Sequence, residues 1–322
     1  MHTIATVHPE YDITALLRRV PDAFSSTYPN IKIVRGNYDD VDTIKANAAA
    51  ADIVIHNGDS DHESSLKAIL SGLLTRPTPG YLLHLSGTGI VSDWVDEQYL
   101  GKTNPKIWSD ISSIDEIRNL SPRALHRNTE IILHDTVRDQ SDKINIAIMC
   151  PPDIYGKGKG LAKTHSALVP MYVQEIQNLG GKAFYYGEGE NVRSWVHIDD
   201  LMGLYLKVIE AAASGKTGEC FNENGYYFAA TQEISHLEVA RVIGEVLHKE
   251  GVVRDPEPKP ISLEEVDKML RVPGYERLAR YMFASNSRTR PERAEKLFGY
   301  KGEAPRLLES LETEVVDFIR MP

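Results

Sequence analysis

INIAIMCPPDIYGKGKG, residues 144–160, orders the rest of the chain around itself. Ile144 to Met149 is an almost unbroken apolar run of strand length, which suits a strand buried on both faces of a sheet. Pro151 and Pro152 then impose a rigid, non-helical exit. The glycines and lysines that follow do not make a phosphate loop, because GxxxxGK[ST] cannot be laid on them.

Upstream, Tyr11 to Leu17, Ile31 to Val34, Asp52 to His56 and Tyr81 to Leu85 read as further buried strands. Helical spacing separates them at Val41 to Ala50, Glu63 to Leu74 and Pro122 to Asp139. Strands alternating with helices argue for crossover units and a doubly wound parallel α/β sheet. In the last of these helices Leu125, Ile132 and Val137 share one side and Arg123, Arg127 and Glu130 another, with Ser121 as the cap and Pro122 in the first turn. Met1 to His8 reads as the tail of an amphipathic helix. Beyond residue 150 come Gly- and Pro-rich loops and helices at about 162–179, 199–213, 231–249, 262–270 and 304–318. This divides the chain into residues 1–150, an α/β domain, and residues 151–322, a smaller, mainly helical lobe, with about 187–222 returning to the first domain.

The 322 residues carry 36 Lys+Arg against 46 Asp+Glu, a net charge of -10. An acidic chain is a poor partner for nucleic acid or anionic membrane. Two cysteines, Cys150 and Cys220, are too few for a disulfide framework and favour a reducing compartment, with cytoplasm the expectation. Nothing approaches a membrane span.

Several clusters carry candidate chemistry, each with a plainer reading beside it. Arg18 and Arg19 end the first strand, where a doubly wound sheet offers the ribose of a dinucleotide; arginine there suits the extra phosphate of NADP, or the two are simply solvated. Asn37 and Tyr38 in GNYD could read and stack on an adenine, or form a turn before a helix cap. Asn57-Gly58-Asp59-Ser60 follows the third strand, with His56, Asp61, His62 and Glu63 nearby; it lacks a spaced metal motif, and Asp59 or Ser60 would cap the next helix. No metal is expected. Ser86-Gly87-Thr88-Gly89 lies where open parallel sheets put ligands, and its hydroxyls could hold a substrate carbonyl or be incidental to a turn. Arg193 to Leu201 sets an arginine, a tryptophan and a histidine before a helix, with Asp199 or Asp200 as a cap.

In this order and spacing, GNYD (36–39), DIVIH (52–56), SGTG (86–89), ALHRNTE (124–130), CPPDIYGKG (150–158), VHIDDL (196–201), SNSRTR (285–290) and LFGY (297–300) make a chain that resembles the extended short-chain dehydrogenase/reductase superfamily, in its NAD-dependent epimerase/dehydratase branch. The resemblance implies a Rossmann-type domain binding NADP, or NAD, and a C-terminal substrate lobe. It places Arg18 at the ribose phosphate, Asn37 and Tyr38 at the adenine, Asn57 and Gly58 along the cofactor, and Pro151 and Ile154 against the nicotinamide. Ser86 and Thr88 would stand by the reacting carbon, with Tyr155, Arg193 and His197 facing the substrate.

Two departures from the family pattern stand out. The first strand and its GxxGxxG turn are missing: Met1 aligns within the first helix, through a start at an internal methionine or a natural truncation. The catalytic YxxxK is missing too, since its positions align with Pro122 and His126. The one literal match, Tyr155 to Lys159, is interrupted by Gly156 and Gly158 and is read as accidental. His126 is the substitute candidate for proton transfer, or a surface histidine pairing with Glu130 at i, i+4. The expectation is an atypical NAD(P)-dependent oxidoreductase or epimerase acting on a small carbonyl or hydroxyl substrate by hydride transfer, with Thr88, Ser86 and His126 as its catalytic set and a homo-oligomer compatible with it. The alternative is a non-catalytic nucleotide or metabolite sensor on a degenerate reductase scaffold.

Overall fold

The computed structural model describes residues 1–272 and 276–321. The strands used below are β1 (Thr14–Leu17), β2 (Lys32–Arg35), β3 (Ile53–His56), β4 (Gly80–Leu85), β5 (Ile144–Cys150), β6 (Asp153–Tyr155), β7 (Val192–His197), β8 (Tyr226–Phe228) and β9 (Gln232–Ser235). The helices are α1 (His2–Val7), α2 (Val41–Ala50), α3 (Glu63–Leu73), α4 (Arg127–Gln140), α5 (Leu168–Asn178), α6 (Ile198–Ala213), α7 (His236–Lys249) and α8 (Leu307–Ile319).

All seven residues of β5 are buried, as an apolar strand inside a parallel sheet must be. It lies between β4 and β8 in a four-stranded parallel sheet of order β8-β5-β4-β3. Successive side chains point to opposite faces. Leu82, Ile146 and Ile148 therefore meet Leu66, Ile69 and Leu73 of α3 and Leu133 and Val137 of α4, while Leu83, Ala147 and Met149 meet Leu201, Leu204, Tyr205 and Val208 of α6. Helices thus cover both faces, as in a Rossmann-type fold. A third core joins α5, α7 and α8 around Tyr155, Trp195 and Phe283. Beside these helices lies a three-stranded sheet of order β9-β7-β6. α6 and β8 both return to the first half of the chain.

Among the described residues β1 pairs in parallel with β2 and with no other strand, and β3 pairs with β4 alone. These six strands therefore form two separate sheets, and Ile55 of the edge strand β3 remains 38% exposed.

Helix starts differ from the sequence reading. α4 begins at Arg127, and its N-cap is His126, held at φ 63 in the left-handed region. Ser121 caps nothing there and instead accepts from the Arg123 amide in a preceding turn. Nor do Arg127 and Glu130 face solvent: both are buried, Arg127 donating to the carbonyls of Leu120 and Arg118. α3 is capped by His62, whose Nδ1 accepts from the Ser65 amide, rather than by Asp59 or Ser60. α7 starts at His236 behind a Ser235/Glu238 capping box, so the residues from 232 to 235 are strand. A second such box, Ser262/Glu265, opens a short helix at Leu263–Asp267.

Candidate active site

The carboxyl ends of β3 and β4 carry histidines at the same register, His56 opposite His84. Both rings are buried, with their Nδ1 atoms 3.0 Å apart. Burial pushes their pKa values down, His56 to about 4 and His84 to about 3, so both are neutral near pH 7. Behind them Ser65 Oγ lies 3.1 Å from His56 Nε2. In front, His84 Nε2 lies 3.2 Å from the Ser60 carbonyl, in the loop that follows β3.

That loop meets the start of α4. His126 Nδ1 is 2.9 Å from Asp61 Oδ1 and 3.1 Å from Ser60 Oγ. Its other nitrogen faces the turn after β4: a Cβ at Gly87 would stand 2.9 Å from His126 Nε2. Next in that turn is Thr88, whose amide donates to the Pro151 carbonyl and whose hydroxyl has no hydrogen-bond partner among the described residues. His126 thus pairs with Asp61, 65 residues away, and not with Glu130.

Glu130 is fully buried, accepting from Ser86 Oγ (2.5 Å) and Tyr226 Oη (3.0 Å), with His134 Nε2 at 3.6 Å. The Ser86 hydroxyl is therefore directed into the core, and the Thr88 hydroxyl, on a residue 2% exposed, is the one in the turn without a partner among the described residues. Gly89 lies against Tyr281, whose Oη would be 3.1 Å from a Cβ there.

The residues assigned to the adenosine end gather at the neighbouring strand ends. Arg18 and Arg19 are exposed, with no ion-pair partner among the described residues. Tyr38 spans from the loop after β2 to the loop after β3, its hydroxyl so close to Gly58 that a Cβ there would overlap it at 1.1 Å. Its ring stands edge-on to His56, 5.8 Å between centroids. The Asn37 side chain accepts from the Asp39 amide within its own turn, and Asn57 Oδ1 accepts from Tyr205 Oη at 3.3 Å.

The three residues assigned to the substrate are engaged within the chain. Tyr155 is buried, donating to the Pro305 carbonyl and accepting from Gln232, and burial pushes its pKa up to about 12. Arg193 forms a two-armed ion pair with Asp153, at 2.5 and 3.1 Å, and packs over the Tyr281 ring. His197 caps α6 by accepting from the Asp199 amide and lies on Gly156. Lys159 pairs with Asp199 at 2.7 Å and so is no partner for the Tyr155 hydroxyl. Ile154 is half-buried against the α6 side of the sheet.

Residues 99–222 match the NAD dependent epimerase/dehydratase family. Over nearly the whole length the chain is 27% identical to Oxidase ucsJ of Acremonium sp, covering 98% of this chain and 92% of that protein. A dTDP-4-dehydro-6-deoxy-D-allose reductase of Streptomyces bikiniensis is 25% identical across 37% of this chain and 33% of its own length. Among solved structures, UDP-glucose 4-epimerase of Thermotoga maritima superposes with a TM-score of 0.62 at 14% identity, covering 99% of this chain and 94% of that one. DesIV, a dTDP-glucose 4,6-dehydratase of Streptomyces venezuelae solved with NAD bound, gives 0.61 at 16% identity, over 99% and 92%. Residues 99–222 are thus similar to the NAD dependent epimerase/dehydratase family, and along its length the chain shares the Rossmann-type fold of these solved structures.

Proposed function

We propose that this protein is an NAD(P)-dependent oxidoreductase or epimerase acting on a small carbonyl or hydroxyl substrate, with His126 as its proton-transfer group. One observation carries the reading: an imidazole held by a carboxylate lies against the SGTG turn at the carboxyl end of β4, beside the unpartnered Thr88 hydroxyl. Open α/β sheets bind ligands at that edge, and the relatives and solved structures named above are an oxidase, a reductase, an epimerase and a dehydratase.

The nucleotide end fits the cofactor in charge and shape. Two guanidinium groups without an ion-pair partner among the described residues follow β1, and Tyr38 sets the hydroxyl end of its ring against Gly58. Arg18 would hold the ribose phosphate of NADP, and Tyr38, Asn57 and Gly58 would line the nucleoside. Pro151 and Ile154 would flank the nicotinamide. Bound there, the cofactor supplies or takes up the hydride. Thr88 Oγ1 donates to the substrate oxygen and polarises it. His126 Nε2 gives a proton to that oxygen in reduction and removes it in oxidation.

The test is titration of NADPH and NADH by intrinsic tryptophan fluorescence, followed by turnover with a panel of small carbonyl compounds. Arg18→Ala should weaken NADPH binding more than NADH binding. His126→Gln should leave binding intact and lower kcat by roughly a hundredfold or more. A sensor without chemistry is the second reading, favoured by the engagement of Ser86, Tyr155 and Arg193 inside the fold. Cofactor binding with no turnover of any substrate in the panel would support it.

A further inference from the structure

We infer that Asp61 and Ser60 are positioning residues that fix His126 as the Nδ1–H tautomer, and that the buried His56–His84 pair anchors the loop on which they stand. The inference rests on His126 being the proton-transfer group and names what makes it competent.

A carboxylate only accepts hydrogen bonds, so the 2.9 Å contact puts the proton of a neutral His126 ring on Nδ1. Ser60 Oγ, 3.1 Å from the same nitrogen, shares that proton. Nε2 is then bare and basic on the side of the ring that faces Gly87. In the opposite tautomer Nε2 would carry a proton and could not accept one from the substrate. Which nitrogen is protonated is set by the hydrogen bond the other makes, and here that bond comes from a loop distant in sequence.

The backbone supports the same conclusion. His126 is not glycine, yet it sits at φ 63, a strained conformation for a β-carbon-bearing residue that persists where surrounding contacts over-determine it. Those contacts are present. Thr129 Oγ1 bridges the two segments, 2.7 Å from the Ser60 carbonyl and 3.2 Å from the His126 carbonyl, and Asn128 Nδ2 donates to the Asp61 carbonyl at 2.9 Å.

The anchor follows from proton counting. The Ser60 carbonyl only accepts, so His84 carries its proton on Nε2 and its Nδ1 is bare. Two bare nitrogens do not sit 3.0 Å apart, so His56 is protonated on Nδ1 and donates to His84. His56 Nε2 is then left as an acceptor facing the Ser65 hydroxyl, whose one proton is also drawn by the His62 carbonyl at 3.0 Å. The two histidine protons are fixed in turn, and the pair ends on the carbonyl of the residue that helps hold His126.

The experiment is long-range proton–nitrogen correlation NMR on protein labelled with 15N-histidine, with His126 assigned through His126→Gln. Near pH 7.5 the His126 signal should show a protonated Nδ1 and a bare Nε2. His56 should show the same pattern and His84 the reverse. Replacing both Ser60 and Asp61 by alanine should move His126 to a mixture dominated by Nε2–H, whereas Asp61→Asn, which keeps an acceptor oxygen and the loop's shape, should retain Nδ1–H. A native His126 protonated on Nε2, or a tautomer unchanged in the folded double variant, overturns the inference. Should the double variant not fold, the native spectrum alone decides. These readouts do not require turnover: full activity in His126→Gln would sink the proposed function, and the tautomers would still be measured.

Discussion

Replacing His236 with phenylalanine should make the protein resist acid. The ring stands in an aromatic box, edge-on to Tyr172 at 5.2 Å between centroids, with Phe283 at 6.0 Å and Phe184 at 6.3 Å. Its Nε2 is buried without a partner. Burial, and after it the charge of Arg193, lowers its pKa to about 4, whereas in the unfolded chain it titrates near 6.5. Above that pH the ring is neutral in both states and contributes its full share of stability. Between pH 6.5 and 4 only the unfolded chain takes up the proton, and stability falls by about 1.4 kcal/mol per pH unit, about 3 kcal/mol in all. Phenylalanine removes this proton uptake and the orphaned nitrogen while nearly preserving volume. The Phe184 carbonyl beneath keeps the Tyr172 hydroxyl as its donor. Urea unfolding followed by tryptophan fluorescence should put the variant within about 1 kcal/mol of the parent at pH 7.5. At pH 4.5 it should be ahead by about 2 to 3 kcal/mol. His56 and His84 titrate in both proteins and cancel in the difference. Two parallel stability curves would refute the reasoning.

Gly72→Ala should lower stability by about 1 to 3 kcal/mol, because its Cβ would stand 2.3 Å from the Lys45 carbonyl where α2 crosses α3, and a thermal melt reads it directly. Arg193→Met strands Asp153 in the core and should cost about 3 to 5 kcal/mol; adding Asp153→Leu should recover most of that in the same denaturation assay. Gly87→Ala should displace the His126 imidazole while leaving the melting temperature within a few degrees, and kcat measured on the substrate found in the panel should fall with KM little changed.

The fold was legible because its signals are local. β5 and β4 announce themselves as apolar runs, and α2 and α3 keep helical spacing from end to end. The start of α4 was not, because the periodicity of Leu125 and Ile132 runs straight through a left-handed residue, and no residue type signals such a turn when it falls on histidine. Glu130 looked solvated because charges usually are. Its partners Ser86 and Tyr226 lie 44 and 96 residues away and leave no mark on its own helix. Asp61 stood in plain view beside Asn57 and His62, but spacing alone could not tell a helix cap from the partner of His126. The capping boxes at Ser235 and Ser262 are a different case, since S-x-x-E is readable and would have corrected both helix starts.

The division of the strands into two sheets gives the proposed nucleotide site a thermodynamic character of its own. Arg18 rides on the β1–β2 pair, while Asn57 and Gly58 ride on the four-stranded sheet, and across that boundary run the Tyr38 contact with Gly58 and the contact of His62 Nε2 with Asp39 Oδ1 at 3.3 Å. A dinucleotide bound there as proposed would bridge the two sheets. Part of its binding free energy would go into holding them in one relative position, and what remained would appear as affinity. A substitution that tightens the seam is then expected to raise affinity without touching the ligand.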